Sequence, residues 1–468
     1  MDVKTRPKFT SFFMNIRQIG QMKFYVKNGQ SYYLINTYPF KIFQFNKYQD
    51  LYNFNKNLRV SKFFVTPADH PNYFSLELIF STACNLACTY CYAREKNTGC
   101  YNMKPQNMDE ITVRKAIDFS LSQLIKNLRK NKSDKGIFDL YFMGGEPLLN
   151  KRNIFIAMNY IMDQVKKIKE KLKLTINISP VISTNGVLID EEIAIFFKKC
   201  KFSYVGITID GERHDQYRKF PNGKGTLSEV LRGINFLIKH KVNLKILSVV
   251  PPGEVNNIDK TLAFFNSLKI LSAACRISIV PRAPALNELH RVCAVPQPYI
   301  SKIFRKTKEI KFSKKERKIF AQKLLQISQE YNVDERDLKR KIIGLINMGG
   351  SLYHCPAALW KISISPDGSI YPCHQLVSIK KFYMGNIFQD TNPVQSNSYK
   401  KIEKMFKERT AFTIDRCKKC LFQTICPPLV DCPARSFLEE NSFYKTPQYC
   451  EIYFPYIKQT FINFLNNL

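Results

Sequence analysis

The segment STACNLACTYCYA, residues 81–93, sets Cys84, Cys88 and Cys91 within eight positions. Three thiols so close can belong to a metal finger, to half of a disulfide framework, or to an iron–sulfur cluster. A structural zinc site closes with four ligands, whereas three cysteines leave one iron of a 4Fe-4S cube free for an outside ligand. The missing fourth ligand is therefore informative, and buried structural thiols would not require so tight a triple spacing. A second group follows as Cys355-x12-Gly368-x4-Cys373, then Cys417-x2-Cys420-x5-Cys426-x5-Cys432, and finally Cys450. By spacing alone, Cys417, Cys420, Cys426 and Cys432 would also suit a zinc ribbon. Cys100, Cys200, Cys275 and Cys293 follow no ligand spacing and read as core thiols.

Elements to position these residues are written in the periodicity. From Tyr73 onward, apolar strands are predicted at 73–81, 138–144, 176–186, 204–211, 244–251 and 275–281. Amphipathic helices are predicted between them near 108–130, 152–173, 190–200, 226–241 and 257–268. Regular alternation of strand and helix implies an α/β fold with parallel strands, a partial (β/α)6 TIM-like barrel. The first cysteines then occupy the loop leaving the first strand, at the C-terminal mouth where barrel enzymes place their chemistry.

Around this barrel, residues 1–72 read as a small β-rich domain, a meander over 23–57 with Asn28-Gly29 at its first turn and a helix after it. The barrel is expected over 73–290, a charged helical connector over 291–350, a cysteine-rich domain over 351–455 and a C-terminal helix over 456–468. The cysteine-rich part is expected to be organised by ligands rather than by a large core.

Lys and Arg total 72 against 38 Asp and Glu, a surplus of 34 positive charges spread along the chain. Dispersed charge of this kind is explained by a composition-biased genome better than by nucleic-acid recognition, and no nucleic-acid-reading motif accompanies it. The N-terminus lacks the apolar core and cleavage site of a secretory signal, and no eighteen apolar residues run together. A cytoplasmic protein without membrane association is expected. In a reducing compartment, fourteen cysteines point to metal or clusters rather than disulfides.

The stretch CNLACTYC resembles the signature of the radical S-adenosylmethionine (AdoMet) superfamily. The resemblance implies that Cys84, Cys88 and Cys91 hold a 4Fe-4S cluster whose open iron is chelated by AdoMet. Tyr90 would lie against the adenine. Reductive cleavage of the cofactor would yield a 5′-deoxyadenosyl radical that removes a hydrogen atom from a substrate carbon. Gly144-Gly145-Glu146-Pro147 matches the family's GGEP motif, where glycine backbone approaches the cofactor amine. Ser183 and Asn185 of STNG resemble the ribose-contacting segment. GITIDG brings Thr208 and Asp210 to the same rim, and Arg218 is expected near the cofactor carboxylate, although its spacing from that strand is about two residues shorter than usual.

The C-terminal cysteines resemble the SPASM domain, which carries two auxiliary 4Fe-4S clusters. The resemblance assigns Cys417, Cys420, Cys426 and Cys450 to one cluster and Cys355, Cys373 and Cys432 to the other. Two departures stand out: five residues rather than three precede Cys432, and no cysteine lies between Cys355 and Cys373. The second set would then leave an open iron able to coordinate substrate sulfur. His374 follows Cys373 where sulfatase-maturing relatives carry an aspartate that takes a substrate proton. Histidine can do that work, but the difference weakens the likeness to them, and YPCH resembles more closely enzymes that cross-link cysteine-containing peptides.

These features predict a peptide maturase that closes a thioether or carbon–carbon cross-link in a ribosomal precursor peptide. Its leader segment would be read by a shortened recognition module at 23–57. An electron donor such as flavodoxin or ferredoxin is implied. The alternatives are oxidation of a cysteine or serine to formylglycine and, from another class, a zinc-stabilised basic RNA-binding protein.

Overall fold

The structure is a computed structural model. It describes residues 15–18, 23–28, 30–37, 40–57, 72–91, 93, 101, 103–250, 253–268, 275–281, 313–330, 342, 345, 353, 355–389, 392–426, 431–447 and 449–466. Cys100 and Cys293 lie outside these residues, as does most of the predicted connector.

Four N-terminal strands, β1 (Asn15–Gln18), β2 (Lys23–Asn28), β3 (Ser31–Thr37) and β4 (Phe40–Phe45), form an antiparallel meander followed by the helix Tyr48–Asn57. Asn28 pairs with Ser31 at the end of the β2–β3 hairpin, so Asn28 belongs to the strand and the turn falls one residue later than an Asn28-Gly29 turn would place it. Phe24, Val26, Tyr33 and Ile35 from the meander are buried in the same apolar core as the rest of the chain.

The main sheet begins with β5 (Tyr73–Ser81) and continues through β6 (Lys135–Gly144), β7 (Thr175–Thr184), β8 (Tyr204–Thr208), β9 (Leu244–Val250) and β10 (Cys275–Pro281). These six lie side by side in chain order and every adjacent pair is parallel. The helices Glu110–Lys130, Lys151–Leu172, Glu191–Lys199, Leu227–Lys239 and Ile258–Ser267 cross between them, as the periodicity predicts. Local chemistry sets where they start. Asp109 accepts from the Thr112 amide at 2.7 Å and Asp190 from the Ile193 amide at 2.8 Å, each capping a helix N-terminus. Buried Val113, Ala116, Ile117, Leu121, Leu124 and Leu128 form the inner stripe of the first of these helices. From Phe74 to Ser81 every residue of β5 is buried, the pattern of a strand covered on both faces.

The sheet does not stop at β5. On its other edge β11 (Lys361–Ile364) pairs parallel to β5, and β12 (Ser369–Tyr371) and β13 (Gly385–Asn386) follow antiparallel, giving nine strands among the described residues. The cysteine-rich region therefore continues the barrel sheet. It also buries Ile362, Ile364, Ile370, Phe382, Phe406 and Phe437, a larger core than its turn-rich sequence predicts. The helix Lys314–Glu330 packs against the closing helix Tyr449–Leu465, and Arg317 Nε meets Glu451 Oε2 at 2.6 Å between them. Among the described residues no helix is long and apolar enough to cross a membrane.

Candidate active site

Strand β5 delivers the first cysteine loop, and backbone pairing holds it on both sides. The Ala87 amide donates to Lys219 O at 2.6 Å and the Thr89 amide to Tyr217 O at 2.9 Å. Opposite, the Gly145 amide donates to Ser81 O at 2.8 Å and the Glu146 amide to Ala83 O at 2.9 Å. The GGEP segment thus lies directly against the cysteine loop. Gly144 has φ +152°, and a Cβ there would sit 2.5 Å from Ser81 O, so only glycine lets the two chains approach this closely.

Glu146 is fully buried, and its carboxylate accepts from the Leu148 amide at 3.0 Å, Thr184 Oγ1 at 2.7 Å and the Asn185 amide at 2.8 Å. Those bonds tie the end of β6 to the end of β7. Asn185 in turn donates from Nδ2 to Asn85 Oδ1 at 2.7 Å, reaching the cysteine loop. Ser183 and Thr208 are half-buried near the ends of β7 and β8. Burial, followed by the nearby Glu146 charge, pushes the Cys84 thiol up to about 12.

Tyr90, Asp210 and Arg218 form one buried network. The Tyr90 hydroxyl donates to the Asp210 carboxylate, Arg218 Nη1 donates to the Tyr90 oxygen at 3.1 Å, and Asp210 Oδ1 accepts from the Val249 amide at 2.9 Å. Arg218 lies close enough to Cys88 for their charges to interact. Its Nε is buried with no partner among the described residues. A buried guanidinium donor without an acceptor costs free energy unless a ligand supplies one, so this pocket suits an anionic group such as the carboxylate of AdoMet. Despite its short spacing from the fourth strand, Arg218 reaches Tyr90 of the cysteine loop.

The C-terminal cysteines separate into two sets. Cys417, Cys420, Cys426 and Cys450 line one cavity of about 310 Å³, with Asp431 in its wall and Phe24 of the meander beside them. Cys355, Cys373 and Cys432 interact electrostatically with one another. Arg409 stands beside Cys432 and Cys355 and forms a bidentate pair with Asp431 at 2.8 and 2.7 Å, between the two sets. Cys432 is not among the lining of the four-cysteine cavity, which separates it from the three residues a zinc ribbon would join it to. Burial pushes the Cys355 thiol up to about 12 and the Cys450 thiol up to about 11. Such thiols stay protonated near neutral pH until a metal replaces the proton, so cluster assembly supplies the stabilisation that burial removes.

His374 lies next to Cys373 and meets Glu77 of β5. Its amide donates to Glu77 Oε2 at 2.7 Å and its Nδ1 lies 2.9 Å from Oε1. Lys361 of β11 completes a buried charge cluster on the same carboxylate. Burial pushes Glu77 up, but the His374 and Lys361 charges and their hydrogen bonds outweigh it and hold the carboxyl well below its usual range. Glu77, Lys361 and Asn85 escape sequence reasoning. For Glu77 a signal exists: it is the single charge in YFSLELIFS, and a charge in a doubly covered strand requires partners.

A sequentially ordered parallel α/β sheet, a three-cysteine loop at the end of its first strand and two further cysteine sets define an iron–sulfur enzyme of the radical AdoMet type. Comparison with known proteins agrees. Residues 78–265 match the Radical SAM superfamily and residues 347–421 match SPASM, an iron-sulfur cluster-binding domain. The chain thus carries a radical SAM domain and a SPASM domain, and these domains bring 4Fe-4S clusters and AdoMet as its cofactors. It is 26% identical over 358 residues to the cysteine-type anaerobic sulfatase-maturating enzyme of Clostridium novyi, covering 74% of this chain and 84% of that protein. With the cysteine-type anaerobic sulfatase-maturating enzyme of Clostridium perfringens strain 13 it shares 27% over 397 residues, 83% of this chain and 97% of the relative. The solved structure of native anSMEcpe with bound AdoMet has the same fold, with TM-score 0.60, 23% identity, and coverage of 84% of this chain and 100% of that one.

Proposed function

We propose that this protein oxidises a cysteine, or a serine, of a protein substrate to formylglycine. The observation that carries this reading is the likeness to a cysteine-type anaerobic sulfatase-maturating enzyme along 97% of that enzyme's length. It supports this reading better than the cross-linking one, which drew on the open iron of the Cys355 set, on His374 and on the N-terminal meander.

In this reading Cys84, Cys88 and Cys91 hold the cluster that binds AdoMet, and the cofactor supplies a carbon radical able to take one hydrogen atom from the substrate. Gly144 and Gly145 give the cofactor's amino group a close approach to backbone. Tyr90 borders the adenine, Ser183, Asn185 and Thr208 border the ribose, and Arg218 receives the carboxylate. Glu146 holds the ends of β6 and β7 in register for them. Cys417, Cys420, Cys426 and Cys450 hold one auxiliary cluster, and Cys355, Cys373 and Cys432 hold the other.

Oxidising a cysteine to formylglycine removes a hydrogen atom, an electron and a proton to give a thioaldehyde, from which water then displaces sulfide; a serine gives the aldehyde directly. The electron would pass to one of the clusters that the two C-terminal cysteine sets would hold, and a base must stand near the substrate to take the proton. His374 fills that role, oriented by Glu77 as a carboxylate orients the histidine of a hydrolytic triad. The β1–β4 meander serves as a cover over the four-cysteine cavity, since Phe24 lines it.

The test is anaerobic reconstitution with iron and sulfide, then incubation with AdoMet, a reductant and a cysteine-containing peptide. Formylglycine formation predicts 5′-deoxyadenosine together with a peptide that has lost its sulfur and reacts with a hydrazide probe. A peptide that keeps its sulfur and is lighter by two hydrogens would instead establish the cross-linking reading.

A further inference from the structure

A groove of about 850 Å³ opens beside the helix Asn397–Glu408. Four exposed lysines, Lys380, Lys381, Lys401 and Lys404, line it against a single acid, Glu408. Lys404 and Glu408 stand 3.7 Å apart with both side chains largely exposed, a pairing too weak and solvated to neutralise the site. The floor holds Tyr371 and Tyr383, whose rings meet edge to face at 6.1 Å. Tyr371 also belongs to a small apolar cluster with Ile79, Ala93 and Tyr101, against which Cys84 and Cys91 pack. One side of Tyr371 thus faces the groove while the other supports the first cysteine loop, and nothing in the proposed mechanism uses the groove itself.

We propose that this groove docks an acidic stretch of the polypeptide substrate that flanks the residue to be oxidised. The inference rests on the reading of the protein as a maturase of polypeptides. Positive charge is dispersed over most of this chain, but here four lysines converge on one concavity, and a cavity lined by one sign of charge concentrates its field. Its volume falls in the range that holds small ligands and short peptide segments, which favours an extended chain over the flat face of a globular electron carrier. Contact with Tyr371 places a bound segment one side chain away from the cysteine loop, so a residue adjoining the acidic stretch can reach the barrel mouth.

Fluorescence anisotropy with the anaerobically reconstituted holoenzyme tests the proposal. The probes are a fluorescein-labelled cysteine peptide bearing a run of Asp and Glu, the same peptide with Ser at those positions, and an unlabelled oligodeoxynucleotide as competitor. At low salt the acidic peptide should bind about tenfold more tightly than the Ser peptide, an advantage that shrinks as ionic strength rises. The double variant Lys401→Glu/Lys404→Glu should lose that preference while peptide-independent cleavage of AdoMet is unchanged. Equal binding of the two peptides, an unchanged preference in the variant, or an oligodeoxynucleotide that displaces the acidic peptide at lower concentration than unlabelled acidic peptide does would each overturn it. In those cases continued oxidation of the Ser peptide would leave the maturase reading standing. Salt-dependent, lysine-dependent binding without oxidation of any peptide would uphold the docking site and sink the oxidation chemistry.

Discussion

Nδ1 of His374 lies 2.9 Å from a carboxylate oxygen of Glu77, and the His374 amide donates to the other oxygen at 2.7 Å. Facing an ionised Glu77, Nδ1 of His374 carries a proton and donates it whether the ring is charged or neutral. The pair joins the first strand of the barrel to the residue after Cys373, so a candidate base and a candidate cluster ligand are set by one contact.

This arrangement predicts uncoupling. His374→Ala should lower the yield of oxidised peptide by about 10² to 10⁴, the usual weight of a general base, while 5′-deoxyadenosine still forms. Glu77→Gln should do the same more mildly and shift the pH profile of peptide oxidation, whereas a purely structural role would lower both products in parallel. The measurement is the ratio of the two products by mass spectrometry.

Gly144→Ala places a Cβ 2.5 Å from Ser81 O at a backbone conformation that disfavours side chains. The strain should cost roughly 1–3 kcal/mol and push the GGEP segment off the cysteine loop. Thermal denaturation should show a lowered midpoint, and iron analysis a reduced occupancy of the first cluster. A variant with wild-type melting and AdoMet affinity would show that the two segments do not need this approach.

Arg218→Met removes the buried guanidinium whose Nε has no acceptor among the described residues. AdoMet affinity should fall about tenfold or more, as expected for a lost charge-assisted hydrogen bond. The electron paramagnetic resonance spectrum of the reduced first cluster should then need more AdoMet to change. Unaltered titration would assign the guanidinium to the Tyr90 network alone.

His214 is buried beside that network; its Nε2 lies 3.1 Å from Thr226 Oγ1, and burial, followed by the Arg218 charge, pushes it down to about 3. An unfolded histidine titrates near 6.5, so between these values the unfolded chain binds more protons and stability rises with pH. The contribution is complete above about 6.5 and is lost as pH falls toward 3, at no more than about 1.4 kcal/mol per pH unit. Urea denaturation at stepped pH should show this slope, and His214→Asn should flatten it.

Much of this protein is legible from its residues. The six barrel strands and the helices between them follow from local periodicity, because the side chains that face the core are set by the geometry of each element within a few residues. Cysteine spacing does the same for the first triad, whose three cysteines sit on one loop. The end of the fourth strand is a difference of detail: GITIDG reads as strand throughout, but regular structure stops at Thr208, and Asp210 turns to the Tyr90 hydroxyl and the Val249 amide instead.

What the residues alone leave open is settled by contacts between distant parts of the chain. No local pattern announces that β11 joins the outer edge of β5; that pairing buries Ile362 and Ile364 and carries Lys361 to Glu77. Spacing allows Cys432 either to complete a zinc ribbon or to join Cys355 and Cys373, and the fold places it with the latter, beside Arg409. The meeting of Glu77 and His374 spans 297 residues. Sequence determines elements and local ligand sets because these depend on neighbours along the chain, whereas the partners of a buried charge are chosen only when the whole core closes and leaves that charge no water to turn to.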